Sequence, residues 1–323
     1  MVSTALRRSS QAILRISIGP SQTPNASRRR SARAVLQKDA QRLSLLLLLT
    51  PFLLWILLLV VLPQLGIVGI SLREKVGPRQ FTFGLANYLA FVQEPIYWNT
   101  LLRTAVMSIL VTFLALLVGF PVAYYIAKIA PYRSQTALFL LCLVPLWVSD
   151  LVRAFGWIVL LRETGLISGA LQAIGIIKGP IELLYNDATV VVGLVYTVVL
   201  FMIVPLVSTL NGMDNSLLEA GHNLGGSRIT VFRRIVVPYA MPGIVAGCII
   251  VFMMTAGSYL TPILLGGKNS MWFTEQIYDQ FITRYNWESG ATFGVLLLAF
   301  TSFVVWLGLR LTGQKLATTV AKD

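Results

Sequence analysis

Residues 211–238 read NGMDNSLLEAGHNLGGSRITVFRRIVVP, a polar stretch that lies between two long apolar runs of the chain. Ser216 and Glu219 have the spacing of a capping box, which satisfies free N–H groups at the start of a helix. Glycine accepts the left-handed backbone conformation that ends many helices, so the pair Gly225-Gly226 is expected to stop this helix. The pattern therefore predicts one short helix with a stripe of leucines.

A second short helix is expected directly after the glycine pair. Ser227 can cap it, and Val231, Phe232 and Ile235 would give it an apolar side. Proline lacks a backbone N–H and clashes with the preceding turn, so Pro238 is expected to break this helix before the next apolar run. The two helices predict a helix–turn–helix that is too short to fold alone and has apolar side chains that need a partner.

Six long apolar runs surround this stretch, and each is long enough for the roughly 20 residues that a transmembrane helix needs. They lie between Arg42 and Arg73, Arg103 and Lys128, Arg133 and Arg162, Asp187 and Asp214, Arg234 and Lys268, and Glu288 and Arg310. Asp150 and Arg153 interrupt the third run, and the fifth has room for one tilted span plus a re-entrant or interfacial end. The predicted fold class is therefore all-α, a polytopic membrane protein with six transmembrane helices.

The composition agrees with this fold class. Hydrophobic residues make up 56% of the 323 residues and charged residues only 12%, about half the share of a soluble domain. These values exclude a soluble enzyme, a disordered protein and a disulfide-rich secreted domain. The run from Leu43 to Leu72 is too long for a signal peptide, so an uncleaved first span is expected. We divide the chain into a tail at 1–42, a membrane domain at 43–313 and a second tail at 314–323.

The net charge of +13 results from 26 Lys and Arg against 13 Asp and Glu, a balance also typical of nucleic-acid binding. Six spans place both termini on one side, and seventeen of the cations fall there, nine of them in the first tail. The opposite loops hold seven cations and eight acids. Cytoplasmic loops carry the excess of Lys and Arg, so both termini are predicted to be cytoplasmic and no nucleic acid is expected. The basic tail is expected to be largely disordered and to touch anionic lipid, with a transit peptide as the alternative.

No cofactor or metal site is expected in this chain. Gly266-Gly267-Lys268 lacks the upstream glycine and the following Ser or Thr of a phosphate-binding loop. Cys142 and Cys248 fall in predicted spans without other metal ligands nearby. Paired carboxylates, a Ser/His arrangement and a metal cluster are all missing from the sequence, so we do not expect an enzyme.

The loop resembles a known motif. Glu219-Ala220-Gly221, then Gly225, then Ile235-x-Val237-Pro238 follow the spacing of the EAA loop, E-A-A-x3-G-x9-I-x-L-P, found in the membrane subunits of bacterial binding-protein-dependent ABC importers. Gly221 replaces the second Ala and Val237 replaces Leu. The resemblance implies the type I importer permease fold and a loop that docks on a separate ATPase. The residues it assigns to this contact are Glu219, Ala220, Gly221, Gly225, Ile235 and Pro238. An ordinary amphipathic linker is the alternative.

Further segments are similar to the spermidine/putrescine group of these permeases. They are Pro145–Arg153 with Gly156-Trp157, Pro242-Gly-Ile244 with Ala246-Gly247, Thr261–Gly267, and Asn286-Trp287 with Gly290-Ala291. The resemblance runs from the first span to the last and leaves only the N-terminal tail outside. It implies import of a polyamine, or of a related small organic compound, across the bacterial inner membrane.

The same resemblance implies the partners. They are cytoplasmic ABC ATPase subunits that bind ATP and Mg, a second permease subunit, identical or homologous, a periplasmic solute-binding protein and the lipid bilayer. A self-sufficient secondary transporter is the alternative from another class. Such carriers usually contain internal repeats, which this sequence lacks, and they have no use for an EAA loop.

Five residues are candidates for the solute path. Charged residues inside a membrane segment are functional candidates by default, and aromatic rings attract ammonium groups. Asp150 and Arg153, at i and i+3, could pair and simply anchor their helix, or Asp150 with the two tryptophans could line a path for a cationic amine. We favour the structural alternative. The candidates are Trp147, Asp150, Arg153, Trp157 and Tyr259.

Overall fold

The computed structural model of the chain describes residues 46–77, 80–268 and 270–312. Its helices are α1 (Leu46–Ser71), α2 (Ala86–Gln93), α3 (Pro95–Ile129), α4 (Tyr132–Leu143), α5 (Asp150–Leu161), α6 (Leu166–Ala173), α7 (Asp187–Asn211), α8 (Asn215–Asn223), α9 (Arg228–Ala256), α10 (Leu260–Leu265), α11 (Phe273–Tyr278) and α12 (Trp287–Thr312). An antiparallel hairpin, β1 (Arg73–Gly77) and β2 (Gln80–Phe83), follows α1 and pairs Glu74 with Thr82.

The predicted tails at 1–42 and 314–323 lie outside the described residues. The chain is divided into two units between Leu65 and Gly66, and the described residues of the first, 46–65, all belong to α1.

Six helical segments of the described chain are long and apolar enough to cross a membrane, as the sequence predicts. They are Leu46–Ser71, Pro95–Ile129, Asp150–Ala173, Asp187–Asn211, Arg228–Ala256 and Trp287–Arg310. The position of the third is a correction, because the run between Arg133 and Arg162 is not one helix. Helix α4 ends at Leu143, a 3-10 turn covers Val144–Trp147, and α5 begins only at Asp150. Pro145 lies in that turn and lacks the backbone N–H that would continue the hydrogen-bond pattern of α4.

The core of the second unit is formed where α3, α7 and α9 pack together. Val111 of α3, Met202 and Leu206 of α7 and Val251 of α9 are fully buried there. The contact between α7 and α9 is very close, since a Cβ on Gly243 would lie 2.6 Å from the Thr209 hydroxyl oxygen. Small residues allow such close backbone approach between membrane helices. These three helices therefore form a tight support for the loop between α7 and α9.

The expectation that Pro238 breaks the second helix of the loop is wrong. Helix α9 continues from Arg228 to Ala256 through a π-helical turn at Phe232–Val236, in which the Val237 N–H bonds to the Phe232 carbonyl. This wider turn removes the regular bond pattern directly before Pro238, where the proline ring would otherwise clash. The loop is therefore joined to the membrane core by an unbroken helix. After α9 ends, the short α10 occupies the extra length that the sequence predicted in the fifth run.

Candidate functional site: the cytoplasmic loop and the membrane charges

Helix α8 forms where the first loop helix is predicted, but its cap differs. Asp214 is the N-cap, and its carboxylate accepts the Ser216 N–H at 2.9 Å. The predicted capping box is therefore wrong, because Ser216 lies inside the helix. Bonding from Ser216 lowers the pKa of the Asp214 carboxyl, and the nearby Lys128 contributes in the same direction. The cap is a carboxylate held in its charged form, which suits the positive end of a helix dipole.

The glycine pair ends α8 as predicted. Gly225 has a φ of 79°, its N–H donates to the His222 carbonyl at 2.9 Å, and the Gly226 N–H donates to the Gly221 carbonyl at 3.1 Å. This is the Schellman pattern of helix termination, which requires a left-handed residue. The chain then reverses into α9, whose first turn Ser227 caps by accepting the Thr230 N–H at 3.3 Å, again as predicted.

The two loop helices pack on each other through Gly221. A Cβ at this position would lie 2.7 Å from Ile235 Cδ1 and 3.2 Å from Val231 Cγ2. Phe232, next in sequence to Val231, contacts Phe120 and Tyr124 of α3 edge to face, with ring centroids 5.5 and 5.7 Å apart. The apolar partner that the sequence requires for this helix–turn–helix is therefore supplied in part by the end of α3.

Two polar contacts that the sequence did not reveal also hold the loop. The Lys128 ammonium donates to the Met213 carbonyl at 2.6 Å and to Asn215 Oδ1 at 3.1 Å. The Tyr239 hydroxyl of α9 donates to the Gly212 carbonyl at 2.8 Å. The partners in each contact are far apart in sequence. The only signal in the sequence for the first contact is the position of Lys128 at the end of an apolar run.

The remaining surface of α8 faces away from the core. Glu219, Ala220 and Gly225 are exposed, and so are the large apolar side chains of Leu224 and Ile229, at 88% and 71%. Of the other residues assigned to the ATPase contact, Pro238 is exposed, whereas Gly221 and Ile235 are half-buried in the packing between the loop helices. The loop thus presents an apolar patch beside a carboxylate, and two of its six assigned residues serve its internal packing.

Of the five candidates for a solute path, Asp150, Arg153 and Trp157 lie on α5, whereas Trp147 lies in the turn before it and Tyr259 directly before α10. Arg153 and Asp150 form the ion pair that their spacing predicts, with the Arg153 side chain 7% exposed and that of Asp150 53% exposed. Trp147 lies in the 3-10 turn and is almost fully exposed, and Trp157 packs edge to face on Tyr196 of α7 at 5.6 Å. Tyr259 instead stacks on Tyr278 of α11, with ring centroids 4.8 Å apart. Their role in transport stays a prediction.

A second ion pair joins elements that are distant in sequence. Arg103 of α3 donates to both carboxylate oxygens of Asp187, the first residue of α7, at 2.5 and 2.7 Å. The Ser270 hydroxyl donates to the same carboxylate at 2.6 Å. Both hydrogen bonds come from Nη2 of Arg103, and bonds between charged groups are stronger than those between neutral ones. The ion pair ties α3, α7 and the segment before α11 together at the end of the bundle opposite the loop.

Comparisons with known proteins give one consistent result. Residues 119–316 match the family described as binding-protein-dependent transport system inner membrane component. The spermidine/putrescine transport system permease protein PotB of Escherichia coli (strain K12) is 33% identical over 81% of this chain and 96% of its own length. PotB of Haemophilus influenzae is 32% identical over 81% and 92%. A subunit of a bacterial ABC transporter that imports alginate superimposes with a TM-score of 0.67 at 18% identity, over 89% of this chain and 99% of that one.

Proposed function

The chain belongs to the family of inner membrane components of binding-protein-dependent transport systems, and from this premise we propose that it imports polyamines such as spermidine and putrescine. It is a multi-pass inner membrane protein with the type I importer permease fold, and it is a transport subunit that is not itself an enzyme. The proposed solute class is supported by the relatives named spermidine/putrescine permeases, which align along nearly their whole length.

One observation supports the coupling to ATP: the loop between α7 and α9 presents an exposed short helix, α8, that packs on α9, and α9 is continuous with the membrane core. The turn at Gly225 and Gly226 places α8 against the start of α9, and α9 then runs unbroken into the bundle. Glu219, Ala220 and Leu224 face outwards, where an ATPase subunit would bury them. That partner would bind ATP and Mg, and the permease would respond to ATP only through the movement of the ATPase subunit against α8.

The proposed orientation places both termini and the loop in the cytoplasm. It is supported by the bias of Lys and Arg towards that side, because positive residues are retained on the cytoplasmic face. We retain the division into a basic tail at 1–42, a membrane domain at 43–313 and a short tail at 314–323. The N-terminal tail carries nine cations and would lie against the anionic inner leaflet.

The proposed mechanism uses the continuous helix α9, which joins the loop to the membrane bundle. A solute-binding protein would deliver the polyamine to the outer face of a pair of permease subunits, identical or homologous. Closure of the two ATPases would move α8, and the close packing of α9 on α7 and α3 would transmit this movement to the bundle. Tightly packed interfaces change between discrete states and do not deform gradually, which suits alternation between outward-open and inward-open forms.

Uptake of radiolabelled spermidine into proteoliposomes tests the proposal. The vesicles contain the permease, its partner permease, the ATPase and the binding protein, with or without internal ATP. We expect uptake only with ATP, and we expect E219K to abolish both uptake and co-purification of the ATPase. E182K, on the exposed opposite loop, is the matched control and should behave like the unmodified protein. Uptake without the ATPase would favour a secondary transporter, and uptake of a non-amine solute alone would exclude polyamines.

A further inference from the structure

A cavity of about 390 Å³ lies between the start of α3, α10, α11 and the turn after α11. Its volume lies within the range of about 300–1,000 Å³ that is typical of small-molecule sites. Tyr97 and Tyr278 supply aromatic side chains to its wall, and the polar lining residues are Glu275, Gln276, Asp279, Thr283 and Arg284. In the proposed orientation this cavity opens on the outer face, where a binding protein releases its solute.

The charged side chains that line the cavity have a net negative charge. Asp279 is paired with Arg284, whose Nε lies 2.9 Å from Asp279 Oδ2. Glu275 makes no ion pair among the residues that the structure describes, and its side chain is only half-buried. One carboxylate therefore remains without a cation, at a position that an arriving molecule can reach. A single cationic group from outside would complete the charge balance.

Two stacked tyrosines stand beside this carboxylate. Tyr259 and Tyr278 stack with their ring centroids 4.8 Å apart, and Tyr278 is 44% exposed. Burial, and then the closeness of Tyr278 and Glu275, raises the pKa of the Tyr259 hydroxyl, and Glu275 and Tyr278 both line the cavity. An aromatic face next to a carboxylate is the combination that attracts an alkylammonium group.

The third feature is a buried amide. Gln276 is 5% exposed, and among the described residues its side chain makes a hydrogen bond only to the sulfur of Met271, a weak acceptor. Within the described residues no donor contacts its Oε1. An ammonium group has three N–H donors and accepts no hydrogen bond, so it requires acceptors alone. Glu275 and Gln276 both line the cavity and both carry such acceptors.

We propose that this cavity binds one ammonium end of the incoming solute, with Glu275 as the counter-ion, Gln276 as a second acceptor and Tyr278 as the aromatic face. This inference rests on the proposed function and names the residues that receive the polyamine on the outer face. Tyr259, selected from the sequence, contributes by holding Tyr278 in place. The Asp150 pair belongs to another element and is not needed for this step.

The alternative is a structural role for Glu275, which lies in the first turn of α11 and would stabilise its positive end. Substitutions separate the two. E275Q keeps the shape and removes the charge, and E275D keeps the charge one methylene further back. E163Q removes an exposed carboxylate from the turn between α5 and α6, away from the cavity, and is the matched control.

Spermidine uptake by the complete importer in proteoliposomes is measured for each variant, together with basal ATPase activity and thermal stability in detergent. We expect E275Q to raise the KM for uptake by about tenfold, the effect of losing one charged hydrogen bond, without a fall in melting temperature. E275D should recover most of the affinity, and E163Q should match the unmodified protein. A KM for E275Q equal to that of the unmodified protein overturns this site while leaving the proposed function intact. The site is also overturned if the melting temperature of E275Q falls and the loss of uptake is explained by a smaller amount of folded importer. An unmodified importer that takes up no polyamine overturns both.

Discussion

The Lys128 ammonium, at the end of α3, donates a hydrogen bond of 2.6 Å to the backbone carbonyl of Met213, 85 residues further along the chain. The same ammonium also bonds to Asn215 Oδ1, at the start of α8. The cap residue Asp214 lies between these two partners. Lys128 therefore fixes the start of α8 to the helix that forms one wall of the core.

The first prediction concerns this contact. In K128M the start of α8 loses two hydrogen bonds to a charged group, and losing one such bond costs about 1.5 kcal/mol, or about tenfold in an equilibrium. We expect stimulation of the ATPase by the loaded binding protein to fall by about that factor, while the permease still inserts and pairs. K178M, at an exposed outer position, should have no effect. Full stimulation in K128M would show that α8 is positioned without this lysine.

The second prediction compares two glycines of the loop. A Cβ on Gly226 would lie 2.7 Å from the Gly221 carbonyl oxygen, which is backbone and cannot move aside. A Cβ on Gly221 meets the end of the Ile235 side chain, which can rotate. Overpacking costs about 1–3 kcal/mol, whereas alanine in a helix gains about 1 kcal/mol over glycine.

We therefore expect G226A to reduce the amount of ATPase that co-purifies with the permease by about tenfold, and G221A to leave it nearly unchanged. Because the family motif has alanine where this chain has Gly221, the second substitution also restores the motif. The packing argument fails if G221A is the more damaging of the two.

The third prediction concerns the pair of Arg103 and Asp187. Both side chains are partly exposed, at 30% and 44%, so solvent screens the attraction and the pair contributes about 1 kcal/mol. For D187N we expect a fall in the melting temperature of the purified permease of about 2–4 °C. R103M combined with D187N should cost less than the sum of the single changes, since they remove the same contact. E182Q, exposed and without this contact, is the control, and an equal fall there would mean that the pair has no special role.

The fourth prediction separates the two roles proposed for Asp150. The Arg153 side chain is buried, and its Nε and Nη1 have no hydrogen-bond partner among the described residues, so Asp150 is its counter-ion. D150N leaves this guanidinium without compensation and should destabilise the protein by about 1–2 kcal/mol, a value reduced because Asp150 is half exposed. We expect R153M to restore stability in that background.

Spermidine uptake per folded importer should be almost normal in D150N. Loss of uptake at an unchanged melting temperature would instead support Asp150 as part of the solute path. Thermal unfolding in detergent and uptake in vesicles therefore have to be measured on the same preparations.

Much of the fold follows from local sequence. Six apolar runs predict six spans because the bilayer core demands a minimum helix length, and the described chain contains six such segments. The glycine pair and Ser227 predict the turn of the loop correctly, since left-handed φ and capping depend on neighbouring residues. The errors are also local. The cap is Asp214 in place of Ser216, and Pro238 is tolerated because a wider turn precedes it.

The third span was misplaced for a different reason. Apolar composition reports where a helix can cross a membrane, but not where the chain bends. Pro145 and the cap before Asp150 divide the run into separate helices. Helices on both sides of the bend are largely apolar, so apolar composition alone does not reveal this division.

By itself the sequence determined that this protein crosses the membrane, predicted which side its loop faces, and located the turn of that loop. Each of these depends on short-range properties: hydropathy, the distribution of charge and the conformational freedom of glycine. Only the tertiary structure decided which distant groups meet. Lys128 bonds to the start of α8, Arg103 pairs with Asp187, and Glu275 shares a cavity with two tyrosines. Such contacts depend on how helices pack, and no spacing along the chain encodes them.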